Sequence, residues 1–144
     1  MTSPKGYLCL VLHGHLPFVR HPELSECLEE DWFFEAMTEV YLPLLEMFQR
    51  LKGEEIDFPV TFSLSPPLTT MLADPLLTSR YDAHLENLIR LAESECRRTA
   101  GSPEFGPLAR MYLDRFSRTR DLWTGPFQRD LVGVFRDLKG TGSL

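Results

Sequence analysis

A chain of 144 residues with 43% hydrophobic and 25% charged side chains is long and apolar enough for one domain with its own core. The formal net charge of −6 argues against nucleic acid or an anionic membrane surface as the main partner, and favours neutral or weakly charged ligands. Cys9, Cys27 and Cys96 show no C-x-x-C spacing, which points to reduced thiols and not to a disulfide framework or a zinc knuckle.

In chain order, "YLCLVL" (7–12) reads as a short buried strand in which Cys9 is a small hydrophobe. Residues 13–31 read as a proline-punctuated loop, and its charge run (Glu23, Glu26, Glu29, Glu30, Asp31) as solvated. Asp31 is the expected N-cap of an amphipathic helix. Phe33, Met37, Tyr41, Leu44, Leu45, Phe48 and Leu51 line its apolar face, Pro43 kinks it, and it stops near Gly53. "FPVTFSL" (58–64) is β-branched and aromatic, a second strand that Pro66 and Pro67 end while opening a short helix across 67–73.

Ser79 and Asp82 make an S-x-x-D start for a helix carrying Tyr81, Leu85, Leu88, Ile89, Ala92 and Cys96. "AGSPEFGP" (100–107) breaks the chain. Leu108, Met111, Tyr112 and Phe116 mark the next helix; Phe127, Leu131, Val134, Phe135 and Leu138 mark the last. Arg97, Arg98, Arg110, Arg115, Arg118 and Arg120 alternate with acids as a solvated helix face. No stretch approaches the ~20 apolar residues of a membrane span, and no charged leader precedes a long apolar run. A soluble cytoplasmic protein is therefore expected.

The order βαβ followed by helices predicts an α/β fold with two parallel strands. A lone parallel pair leaves edges and faces with too little cover. Residues 1–144 thus read as a single unit, the front of a larger sheet protein, without a second domain inside it. The tail "KGTGSL" reads as a helix end followed by the start of another element.

The chemistry concentrates where the first strand ends, at "HGHLP". His13 and His15, two residues apart in extended chain, face one side. The C-terminal ends of strands are where α/β folds place ligands. Three readings compete: loop hydrogen bonding; a metal site completed from His21, Glu23 or His84, none at a diagnostic spacing; and a cradle for sugar hydroxyls with Trp32 as a stacking platform. Glycoside chemistry needs two carboxylates, about 5–5.5 Å apart for retention. Neither "HGHLP" nor "SLSPP" supplies one.

"LVLHGHLPFVRHPE", "EDWFFEAMTEVYLPLLEMFQRL" and "FPVTFSLSPPLTTMLADPLL" together resemble the N-terminus of glycoside hydrolase family 57, most of all its 1,4-α-glucan branching enzymes. "FQRDLVGVFRDLKGTG" resembles the helix before the third strand in those proteins, so the similarity spans nearly the whole chain. The resemblance implies the N-terminal part of an incomplete (β/α)7 barrel. That barrel cleaves α-1,4 glucosidic bonds with retention and transfers the chain to a 6-hydroxyl, without a metal or other cofactor. It implies that His13 and His15 hydrogen-bond the attacked glucose, that Trp32 borders the acceptor groove, and that Ser63 and Ser65 line the same pocket. The expected partner is an α-1,4-glucan: amylose, glycogen or maltooligosaccharides.

The family's glutamate nucleophile and aspartate acid/base fall in segments beyond residue 144, so the chain alone is expected to be inactive. The family's 4-α-glucanotransferases and α-amylases, which more often read H-N-H-Q-P, are the alternatives within it. A non-catalytic or vestigial sugar-binding domain is the alternative outside enzymology.

Overall fold

The computed structural model describes residues 5–24 and 27–140. Two short strands, β1 (Val11–Gly14) and β2 (Thr61–Leu64), pair in parallel as His13 meets Ser63 and Gly14 meets Leu64. Between them run α1 (Leu28–Ala36), a π-helical turn (Met37–Tyr41) and α2 (Leu42–Gly53) as one continuous helical rod. After β2 come α3 (Pro66–Leu72), α4 (Pro75–Arg98), α5 (Phe105–Thr124) and α6 (Leu131–Gly140). This is the expected α/β order. The predicted tail after Gly140, like Glu26 of the charge run, lies outside the described residues.

The first strand differs from its prediction. Residues 7–10 are not in the ladder, and strand geometry begins at Val11, where β2 offers partners. Nor is the strand buried on both faces: Tyr7 and Leu8 are 94% and 95% exposed, and Cys9 is exposed as well. Alternation explains the rest. Leu12, Phe62 and Leu64 pack on the helical core, while Val11, His13, Thr61 and Ser63 stand on the uncovered face.

Pro43 produces no break. The rod continues through it because the preceding turn, Met37–Tyr41, takes the wider π form and so accommodates a residue that cannot donate to it. Asp31 is not the N-cap; the helix starts four residues earlier, behind Cys27, so Glu29, Glu30 and Asp31 all lie in its first turn, where carboxylates oppose the helix dipole. Nor is the charge run uniformly solvated. Glu30 is 1% exposed and ion-paired with Arg80 of α4.

The start of α4 moves from Ser79 to Pro75. Asp74 caps it, accepting from the amides of Leu76 (2.9 Å) and Leu77 (3.0 Å), and also from Arg20 Nε at 2.6 Å. Burial works to raise the Asp74 pKa, but the Leu77 amide, the Arg20 guanidinium and the Leu76 amide outweigh it and hold the carboxyl below its ordinary range. A group lowered in the folded state stabilises fully above its unfolded value of about 3.9, and that contribution disappears as pH falls through the folded-state value. Asp74→Ala should therefore cost about 1 kcal/mol at neutral pH and make the acid limb of a pH-dependent thermal melt shallower.

The core is centred on Trp123, Tyr81, Phe33, Met37, Leu42, Leu45 and Leu68, all nearly inaccessible. Tyr81 meets the Trp123 ring edge-on at 5.4 Å and shares a 2.9 Å hydrogen bond with Thr38 Oγ1, while Trp123 Nε1 donates to Asp82 at 2.8 Å. The helix α5 buries Ala109, Thr119 and Trp123 against its neighbours, so Leu108, Met111 and Tyr112 stand exposed instead of forming a core face. Arg115 and Arg118 pair with Glu39 and Glu46, as a solvated arginine face predicts. No helix among the described residues is long and apolar enough to cross a membrane.

Candidate functional site at the strand ends

The C-terminal ends of β1 and β2 bring His13 and Ser63 side by side. Their ladder register places both on the uncovered face, and a 2.7 Å hydrogen bond joins His13 Nδ1 to Ser63 Oγ. The His15 ring lies parallel to that of His13, centroids 5.9 Å apart and planes inclined by 12°. Both imidazoles therefore face one side, as their i, i+2 spacing requires. With Nδ1 of His13 engaged by Ser63, Nε2 is the nitrogen left for a ligand.

Gly14 explains how the pair is held up from behind. A Cβ there would lie 2.9 Å from Leu64 Cδ2 and 3.1 Å from Leu68 Cδ2, so the glycine admits the packing of β2 and α3 against the strand. Its role is space on the core side. Gly14→Ala should cost about 1–3 kcal/mol in a urea melt through overpacking, while leaving the His13–Ser63 contact on the other face. Beyond Pro17 the loop is tied down: the Val19 amide donates to Met71 Sδ at 3.4 Å, and Arg20 reaches Asp74.

The other sequence candidates are placed differently. Ser65 is buried, at the N-cap of α3; its amide donates to Gly14 O at 2.9 Å and its carbonyl accepts from the Thr69 amide at 3.0 Å. Its Oγ is inaccessible and has no hydrogen-bond partner in the described structure. Trp32 stands 55% exposed on α1, without a ring contact to either histidine, while its neighbours Phe33 and Phe34 enter the core. Among the described residues no group of three metal-ligating side chains includes His13 or His15. His21 instead meets Glu23 at 3.3 Å, and His84 packs on the Phe34 ring, where burial pushes its pKa down against the pull of Asp31 and Glu35.

Sequence reasoning missed the organiser of the β1–α1 loop. Glu30 accepts from the His21 amide and from Arg80, which also donates to the carbonyls of His21 and Leu24. The signal was present: Glu30 falls three and four residues before Phe33 and Phe34, on the same helix face, where a carboxylate needs a buried partner.

The model of glycosyl hydrolase family 57 matches residues 9–144. The chain belongs to glycosyl hydrolase family 57. A 1,4-alpha-glucan branching enzyme of Thermococcus kodakarensis is 31% identical over 140 residues, which are 96% of this chain and 20% of that protein. Among solved structures, a GH57-type branching enzyme from Pyrococcus horikoshii superposes with a TM-score of 0.89 at 29% identity, over 97% of this chain and 26% of that one. The alpha-amylase AmyC from Thermotoga maritima superposes with a TM-score of 0.87 at 38% identity, over 94% of this chain and 26% of that one. This family 57 chain thus spans about a fifth to a quarter of the length of these relatives. Its parallel βαβ unit and following helices have the arrangement of the matching part of those (β/α)7 barrel enzymes.

Proposed function

We propose that this family 57 chain forms the opening part of an α-glucan branching enzyme and supplies one wall of its glucose-binding pocket. The observation that carries the reading is the His13–Ser63 hydrogen bond on the open face at the strand ends, with His15 parallel beside it. The reaction is retaining cleavage of an α-1,4 bond followed by transfer of the released chain to a 6-hydroxyl. The imidazoles bind and orient the sugar hydroxyls at the attacked ring, with Ser63 fixing His13. Trp32 and Ser65 take smaller parts, at the acceptor groove and behind the pocket. By the family resemblance, nucleophile and acid/base come from carboxylates outside residues 1–144, which agrees with the lack of one at either strand end here.

Branching is favoured by the branching-enzyme relatives and by "HGHLPFV". Hydrolysis is the second reading, favoured by the 38% identity with an α-amylase. Incubating the purified 144-residue chain with amylose tests the division of labour. Perturbation of the His13 and His15 NMR signals by maltooligosaccharides without turnover is expected. New α-1,6 linkages made by this polypeptide alone would overturn the placement of the carboxylates. In the complete enzyme, new α-1,6 branches support branching, and a net rise in reducing ends without them supports hydrolysis.

A further inference from the structure

A second cluster of donors lies where the β1–α1 loop enters α1. We propose that His21, Cys27 and Glu29 form a binding site for a thiophilic divalent cation of the Zn²⁺ class. One ligand atom from each of the three lies within 4.8 Å of the others, and Cys27 Sγ already contacts Glu29 Oε2 at 2.9 Å. One imidazole nitrogen, one thiol sulfur and one carboxylate oxygen are the mixed donor set that four-coordinate Zn²⁺ accepts, with water in the fourth position. Tetrahedral bonds of about 2.0–2.3 Å need donors about 3.3–3.8 Å apart. The 2.9 Å contact is a hydrogen bond donated by the Cys27 thiol, and it has to open to that spacing when the thiol loses its proton; Glu29 is exposed and free to turn its carboxylate.

The cluster is held from beneath. The His21 amide donates to the buried Glu30 carboxylate (3.2 Å), and the His21 carbonyl accepts from Arg80 (3.3 Å). The Cys27 carbonyl accepts from the Glu30 amide at 3.1 Å. The His21 end of the ligand loop is therefore anchored on the buried Glu30–Arg80 ion pair and the Cys27 end on the first backbone turn of α1, which lowers the ordering cost of binding. Glu23, 3.3 Å from His21 Nδ1, stands as the outer carboxylate that orients metal-ligating imidazoles elsewhere. On coordination the Cys27 thiol releases its proton to solvent and the thiolate bonds the metal. The site shares no residue with the His13–Ser63 pair, so it stands or falls separately from the glucan reading.

The test is Co²⁺ titration of the metal-free chain, followed by Zn²⁺ displacement. A near-ultraviolet thiolate-to-cobalt band, bleached by Zn²⁺, together with a rise in melting temperature with added Zn²⁺, is the expected result. Cys27→Ser should abolish the band. His21→Ala and the exposed Glu29→Gln should each weaken Zn²⁺ binding about tenfold or more, and Cys96→Ser should change nothing. Absence of the band, its loss in Cys9→Ser or Cys96→Ser but not Cys27→Ser, or unaltered Zn²⁺ affinity in both His21→Ala and Glu29→Gln would each overturn the site. The last two variants keep the test decisive even where Cys27→Ser fails to fold.

Discussion

Arg80→Ala is expected to destabilise the chain by about 3–5 kcal/mol, the largest loss from any single polar change here. The guanidinium serves three acceptors at once: the Glu30 carboxylate, the His21 carbonyl and the Leu24 carbonyl. Removing it leaves a carboxylate that is 1% exposed without its countercharge, and protonating that group or opening the helix end to water both cost stability. Part of the burden falls on the loop, which loses its attachment to α4. Urea denaturation followed by circular dichroism measures the effect. The companion variant Glu30→Leu with Arg80→Met should recover most of the loss, because an apolar pair of similar volume removes both desolvation penalties. A loss below about 1 kcal/mol for Arg80→Ala would mean that the pair is solvated in solution.

His13→Ala should have the largest effect on activity: in the complete enzyme kcat falls about 10²-fold while the melting temperature changes little. The two halves of that expectation have separate causes. The side chain stands on the uncovered face, so truncating it opens no core cavity. On the proposed function, its Nε2 is left at the strand end to meet the attacked sugar, and a group preorganised there acts on charge that develops only in the transition state. Ser63→Ala, which frees the ring without removing it, should cost less and should raise KM together with the loss in kcat. An unchanged kcat beside a large fall in melting temperature would return His13 to a structural role.

Fold class and strand order were legible because they depend on local pattern: a short apolar run ended by "HGHLP", a β-branched and aromatic run ended by "SPPL", and a helical period between them. Helix starts were less legible, since several capping signals compete within a few residues. At α4 the Asp74-Pro75 pair prevailed over Ser79 and Asp82 because one carboxylate there serves two amides and an arginine together. Burial was least legible. Leu108, Met111 and Tyr112 have helical spacing but sit on the side of α5 that no described element covers, whereas Glu30 sits on the covered side of α1. Hydrophobicity reports what a side chain prefers; which helix lies opposite is a property of the tertiary arrangement. The His13–Ser63 pairing needed both strand ends in register, fifty residues apart, a relation that no single motif contains.

The half-covered sheet bears on how the polypeptide behaves in a tube. Tyr7, Leu8, Leu10 and Val11 form an uncharged, exposed stretch leading into a strand whose outer edge has no partner among the described residues. Such a stretch is a template for another chain's backbone, and sequences that tolerate it usually carry a lysine or proline as a gatekeeper. Pro4 and Lys5 flank the stretch on one side only, and between Gly6 and Leu12 there is neither. Edge-to-edge self-association is therefore expected to limit the working concentration of the isolated 144 residues, and a single charged substitution at exposed Leu8 should relieve it, as sedimentation of both proteins at rising concentration would show.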